Sequence, residues 1–98
     1  MTTLTLTHHA KQRMSQRIIT FQDIYNTVKC GTLEPQAEGK TKYILDSIYV
    51  ILDGNNNVVT CCFTRQYDKY IHKFAKSNKI GYYAAVRQLR RESIVSTI

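Results

Sequence analysis

Two histidines and two arginines crowd into ten residues, HHAKQRMSQR, at positions 8 to 17. A helix advances by roughly 100° per residue, so His9, Arg13, Gln16 and Arg17 share one face there, while Ala10, Met14 and Ile18 form an apolar stripe beside it. These residue types suit the cutting of RNA without a metal ion. A base removes the proton of a 2′-hydroxyl, cations stabilise the charge that builds on the pentacoordinate phosphorus, and an acid protonates the departing 5′-oxygen. Histidine titrates near neutrality and serves either proton step. Arginine stays charged and grips phosphate through a planar fork. The same spacing also describes an ordinary solvated basic helix face, and the pattern alone leaves both readings open.

The elements that must position this face are legible in outline. A helix is expected from Thr7 or His8 to Arg17, with a short strand possible over residues 3 to 6. A second helix follows ITFQD: Thr20 is an N-cap, Asp23 completes a capping box, Ile19 and Ile24 can staple the start, and Gly31 supplies the stop. TKYILD, SIYVILD and NVVTCCFTR are short, rich in β-branched and aromatic residues, and separated by DS and GNNN, the signature of an antiparallel meander. TLEPQAEGK before them reads as a loop or an edge strand, since Pro35 has no N–H to donate. Helical spacing returns after Arg65 with Tyr67, Tyr70, Ile71 and Phe74, breaks at SNKIG, and resumes with Tyr82, Val86 and Leu89. The expected fold is therefore α+β: two N-terminal helices packed on a three- to four-stranded antiparallel sheet, then a helical C-terminal extension. Length and the lack of a linker point to one domain over residues 1–98, with a core of 1–65 and an extension of 66–98.

Fourteen Lys and Arg against seven Asp and Glu leave a formal charge of +7 on 98 residues, with a sequence pI near 9.5. Such a field favours polyanionic partners, nucleic acid before a membrane surface. Cys30, Cys61 and Cys62 are odd in number and lack CxxC spacing, so neither a disulfide framework nor a zinc site is indicated, and no cofactor or metal is expected. Cys61 and Cys62 should point to opposite faces of a strand. MTTLTLTHH lacks the charged and apolar blocks of a signal peptide, and no apolar run approaches a membrane span; a reducing cytoplasm is the expected location.

HAKQRMSQRIIT, followed by DIYNTVKCG, YVILD and VVTCCF, resembles the small bacterial family catalogued as domain of unknown function 4258. Its signature runs from His-Ala through Arg-Met and a second Arg to a Thr-bearing hydrophobic strand. The family is similar in layout to the superfamily of barnase, EndoU, colicin and RelE ribonucleases, many of them toxins. The resemblance spans about residues 7 to 64 and implies a metal-independent ribonuclease or a descendant of one. Its histidine falls on His9, its arginines on Arg13 and Arg17, and its strand threonine on Thr60, which would hydrogen-bond a phosphate oxygen. Where the family commonly has glycine after the second arginine this chain has Ile18, at which a left-handed turn would be strained.

The extension after Arg65 lies beyond that resemblance. His72 is its candidate for a second acid or base, and Arg87, Arg90 and Arg91 join Lys11 and Gln16 as candidate RNA contacts, with tyrosines interleaved as in single-strand binders. The segment from Tyr82 also permits a helix-turn-helix reading on DNA. Tyr43 and Tyr49 are possible helpers on the strands. The expected function is a small endoribonuclease of toxin type that leaves a 2′,3′-cyclic phosphate, with an acidic antitoxin or inhibitor as a partner. The alternatives are a non-catalytic nucleic-acid-binding or regulatory protein that keeps the fold and its basic face, and a protein-interaction or inhibitor module.

Overall fold

The computed structural model describes residues 3–96, and side chains as far as Arg90. The chain enters as a two-residue strand, β1 (Thr5–Leu6), and turns at once into α1 (His8–Arg17). Thr7 makes that junction. Its hydroxyl oxygen accepts the Ala10 N–H at 3.1 Å, capping the helix, and its proton goes to the Val58 carbonyl at 2.9 Å, 51 positions along the chain.

A second helix, α2 (Phe21–Cys30), starts with the capping box expected at Thr20 and Asp23. The Thr20 N–H donates to Asp23 Oδ2 at 2.9 Å and the Asp23 N–H to Thr20 Oγ1 at 3.1 Å. Gly31 ends the helix for a reason of space, not of handedness. Its φ is −77°, and a Cβ there would lie 2.3 Å from the Thr27 carbonyl oxygen and 2.7 Å from that of Ile44.

The sheet then forms from β2 (Thr32–Pro35), β3 (Thr41–Leu45), β4 (Ile48–Leu52) and β5 (Asn57–Phe63), in the order β1-β5-β4-β3-β2. This corrects the expected three- to four-stranded antiparallel sheet: the described residues form five strands, and the β1–β5 pair is parallel. Two residues carry no alternation to read, and a parallel partner lies far away in sequence, beyond the reach of turn signals. β2 takes the edge, where the missing N–H of Pro35 costs no ladder bond.

Asp46, at φ 54°, turns β3 into β4 through a two-residue connection that pairs Leu45 with Ile48. In the next turn the Asp53 carboxylate accepts from the Asn55 and Asn57 N–H groups and from Asn57 Nδ2, each at 2.9 Å, and these bonds hold its pKa below the usual value.

Ile48, Val50, Leu52, Val58, Cys61 and Phe63 point to the buried face. There α1 packs along β5, and α2 across β3 and β4. Inaccessible Ala10 brings α1 close to the sheet, with Cys61 Sγ 4.0 Å from its carbonyl oxygen. The remaining helices, α3 (Arg65–Asn78) and α4 (Tyr82–Ser96), pack on each other and add Ile71, Ala75, Ala85, Val86 and Leu89 to the same buried cluster. The opposite sheet face carries Lys42, Ile44, Tyr49, Ile51, Thr60 and Cys62, all half-buried. Among the described residues no helix is long and apolar enough to cross a membrane.

Candidate functional site

His9 and Arg13 are in direct contact. Arg13 Nε donates to His9 Nε2 at 3.3 Å, and Arg13 Nη1 to Gln16 Oε1 at 3.0 Å. An imidazole nitrogen that accepts is unprotonated, so the bond assigns the proton of the neutral ring to Nδ1. A 3.3 Å bond is long for N–H···N or N–H···O geometry and is readily exchanged for a better partner. Both His9 and Gln16 are exposed and Lys11 stands beside them in solvent, so this part of α1 is open to a large ligand.

Arg17 leaves that group. Its side chain lines a cleft of about 520 Å³ on the open face of the sheet, together with Lys42 of β3, Tyr49 of β4 and Cys62 of β5. Thr64, Arg65 and Asp68, at the start of α3, close the far wall. None of His9, Arg13 and Thr60 lines this cleft. Arg17 Nη1 is fully shielded from solvent and has no hydrogen-bond partner among the described residues. A buried charged donor left unpaired costs about 1–3 kcal/mol or more, which an incoming acceptor would recover. Burial, followed by its hydrogen bond with Cys62, pushes the Tyr49 phenol up to about 12, so it stays protonated at physiological pH. Lys42 Nζ lies 4.4 Å from the centre of the Tyr49 ring.

The turn that aims Arg17 is strained. Ile18 caps α1 in the left-handed region, at φ 51° and ψ 50°, with its N–H given to the Met14 carbonyl. A β-branched residue there costs roughly 1–2 kcal/mol. Arg90 holds this turn in place. Its Nε donates to the Ile18 carbonyl at 3.2 Å, its Nη2 to Asp23 Oδ2 at 2.9 Å, and its guanidinium lies 5.9 Å from the centre of the Phe63 ring. At 9% exposure, Arg90 is a latch between α4 and the α1–α2 turn, not the surface RNA contact that its place in RQLRRE suggests.

The other expected residues divide. Thr60 sits on β5 opposite Ile51, half-buried, on the same sheet face as Cys62 and Tyr49. His72 is exposed and pairs with Asp68, Nε2 to Oδ2 at 3.5 Å, while Tyr82 donates its hydroxyl to Asp68 Oδ1. His72 is therefore connected to the cleft wall through Asp68 and does not line the cleft itself. Burial and the bond to Asp68 raise the Tyr82 phenol far above its usual range. Arg87 is exposed on α4; the Arg91 side chain lies outside the described residues. Tyr43 faces the core opposite Val50 and is no helper at the cleft.

Lys42, Arg65 and Asp68 were not among the expected site residues. The signal for Lys42 was available: with the two-residue DS turn fixing the register, Lys42 and Ile44 must share the face of Tyr49 and Ile51. Nothing in sequence brings α3 to that face. Among the described residues no three His, Cys, Asp or Glu side chains converge as metal ligands.

Fold and site together define a small basic α+β domain with an exposed His–Arg pair on its first helix and a cation-lined cleft on its sheet. The chain belongs to the family described as domain of unknown function (DUF4258), whose model matches residues 6–73. The match reaches further than the 7–64 of the motif, taking in β1 from Leu6 and α3 as far as Lys73, so Arg65 and Asp68 of the cleft wall lie within the family region. No curated protein and no solved structure matches the chain.

Proposed function

We propose that this protein is a metal-independent endoribonuclease of toxin type, cutting RNA by attack of a 2′-hydroxyl on the adjacent phosphorus. The contact between His9 and Arg13 carries this reading. It puts a neutral proton acceptor and a permanent cation side by side on an exposed face. A 2′-hydroxyl that displaces the long Arg13 bond meets the His9 Nε2 lone pair. As its proton passes to His9, the 2′-oxygen bonds to phosphorus and the bond to the 5′-oxygen breaks. Water supplies the proton of the departing 5′-hydroxyl, and a 2′,3′-cyclic phosphate remains. Arg13 stabilises the charge on the pentacoordinate phosphorus, while Arg17 and Thr60 hold the strand from the sheet side.

Replacement of His9 separates chemistry from binding. In His9→Ala, turnover on a defined oligoribonucleotide should fall by about 10²–10⁴-fold with little change in affinity. Turnover that survives in a clean preparation of the variant would remove this mechanism. The three free thiols match the reducing cytoplasm proposed as its location, and an acidic inhibitor protein covering the basic face is the partner such an enzyme would need.

One observation favours a binding role without catalysis: the cleft concentrates cations and holds no histidine. In that reading Arg13, Arg17 and Arg87 govern affinity and its salt dependence, and His9→Ala changes neither.

A further inference from the structure

Arg17, Lys42 and Arg65 approach one another from three different elements around the cleft, against the single carboxylate of Asp68. That carboxylate is already engaged on both oxygens, by the Tyr82 hydroxyl and by His72. The cleft thus keeps a surplus of positive charge. It also keeps an unused donor. Arg17 Nη1 has no partner among the described residues. Thr64 caps the fourteen-residue α3 in position only, its side chain making no capping bond, and Thr64 and Arg65 both line the cleft, so the positive end of the helix lies at its wall. Three cations against one carboxylate that already has other partners suit an oxyanion, and such a lining with a helix N-terminus suits phosphate.

We propose that this cleft is a phosphate subsite separate from the His9–Arg13 pair, built by Arg17, Lys42, Arg65 and the N-terminus of α3, and that it holds the backbone of a nucleic-acid strand away from the cut. The identity of the strand rests on the ribonuclease reading; the phosphate site itself does not. Arg17 follows His9 by eight residues, about 12 Å along a helix axis. Successive phosphates of a strand lie further apart than the axial rise of about 3.4 Å because the backbone winds round the axis, so the phosphate in the cleft is about two nucleotides from the one at His9. A dinucleotide cannot reach both places. A strand of five or six nucleotides can.

The subsite is tested without any turnover by titrating the intact protein with inorganic phosphate and following backbone amide resonances. Saturable shifts at Thr64, Arg65 and Tyr49 are expected, weakening by at least about fivefold in Lys42→Gln and in Arg65→Gln, the second variant guarding against misfolding of the first. No saturable shift at these amides, or shifts confined to His9 and Arg13, would overturn the subsite. A second arm compares dinucleotide and hexanucleotide substrates. The subsite predicts a lower KM for the hexanucleotide, lost in Lys42→Gln, and equal KM values would count against it. Phosphate shifts in a protein that cuts neither substrate would sink the ribonuclease reading alone, and cutting without the shifts would sink the subsite alone.

Discussion

At the scale of single residues, the adjacent thiols Cys61 and Cys62 report directly on the sheet. Burial holds Cys61 fully out of solvent and pushes its thiol up to about 11, whereas Cys62 faces the cleft and Cys30 is exposed. A thiol reacts as its thiolate and only where reagent can reach it. Ellman titration of the native protein should therefore count two reactive thiols, with Cys61 appearing only on unfolding. Three fast thiols would mean that the α1–β5 contact opens readily. Ile18 makes a second prediction. Its left-handed conformation carries a strain that glycine would not, so Ile18→Gly should raise stability by roughly 0.5–1 kcal/mol after the entropic cost of glycine. Urea denaturation measures it. The sequence already pointed to this position, because the motif has glycine where this chain has isoleucine; the backbone keeps the turn and accepts the strain.

Arg90 decides matters at the scale of elements, since one side chain ties α4 to the α1–α2 turn and to β5. Arg90→Met would leave the Ile18 carbonyl without that donor and Asp23 with the Thr20 N–H alone, and should cost about 2 kcal/mol. Hydrogen exchange should then quicken at Ile18 and Ile19 before it quickens in the sheet. A loss confined to α4 would show that the latch holds the helix and not the turn. Much of this level was legible in sequence. Caps, apolar periods and turn residues placed α1, α2 and the β3–β4–β5 meander because each signal is local. What escaped was non-local. The parallel β1–β5 pair, the burial of Arg90 and the approach of Arg65 and Asp68 to Arg17 depend on contacts between distant segments, and a charged residue in RQLRRE looks the same whether it faces water or a carboxylate. His9, Arg13 and Arg17 were readable as one helix face, but the left-handed exit at Ile18 and the path of the Arg17 side chain divide that face into two places.

For the whole molecule, a formal charge of +7 sets the terms of any association with a polyanion. Each phosphate neutralised on a single strand releases counterion, so the logarithm of affinity should fall linearly with the logarithm of salt concentration, with a slope of about −0.7 per contact. Arg17→Gln should make that slope shallower by about one contact while weakening all sequences alike. An unchanged slope would mean that the cleft does not meet the strand. The proposed chemistry at the scissile phosphate is tested by one substrate: an oligoribonucleotide cut at a mapped site, with and without a single 2′-O-methyl group at that position, incubated in excess chelator. Fragments ending in 2′,3′-cyclic phosphate are expected from the unmodified strand and none from the methylated one. Cleavage that ignores the 2′-O-methyl group, or that stops when the chelator is added, would contradict it.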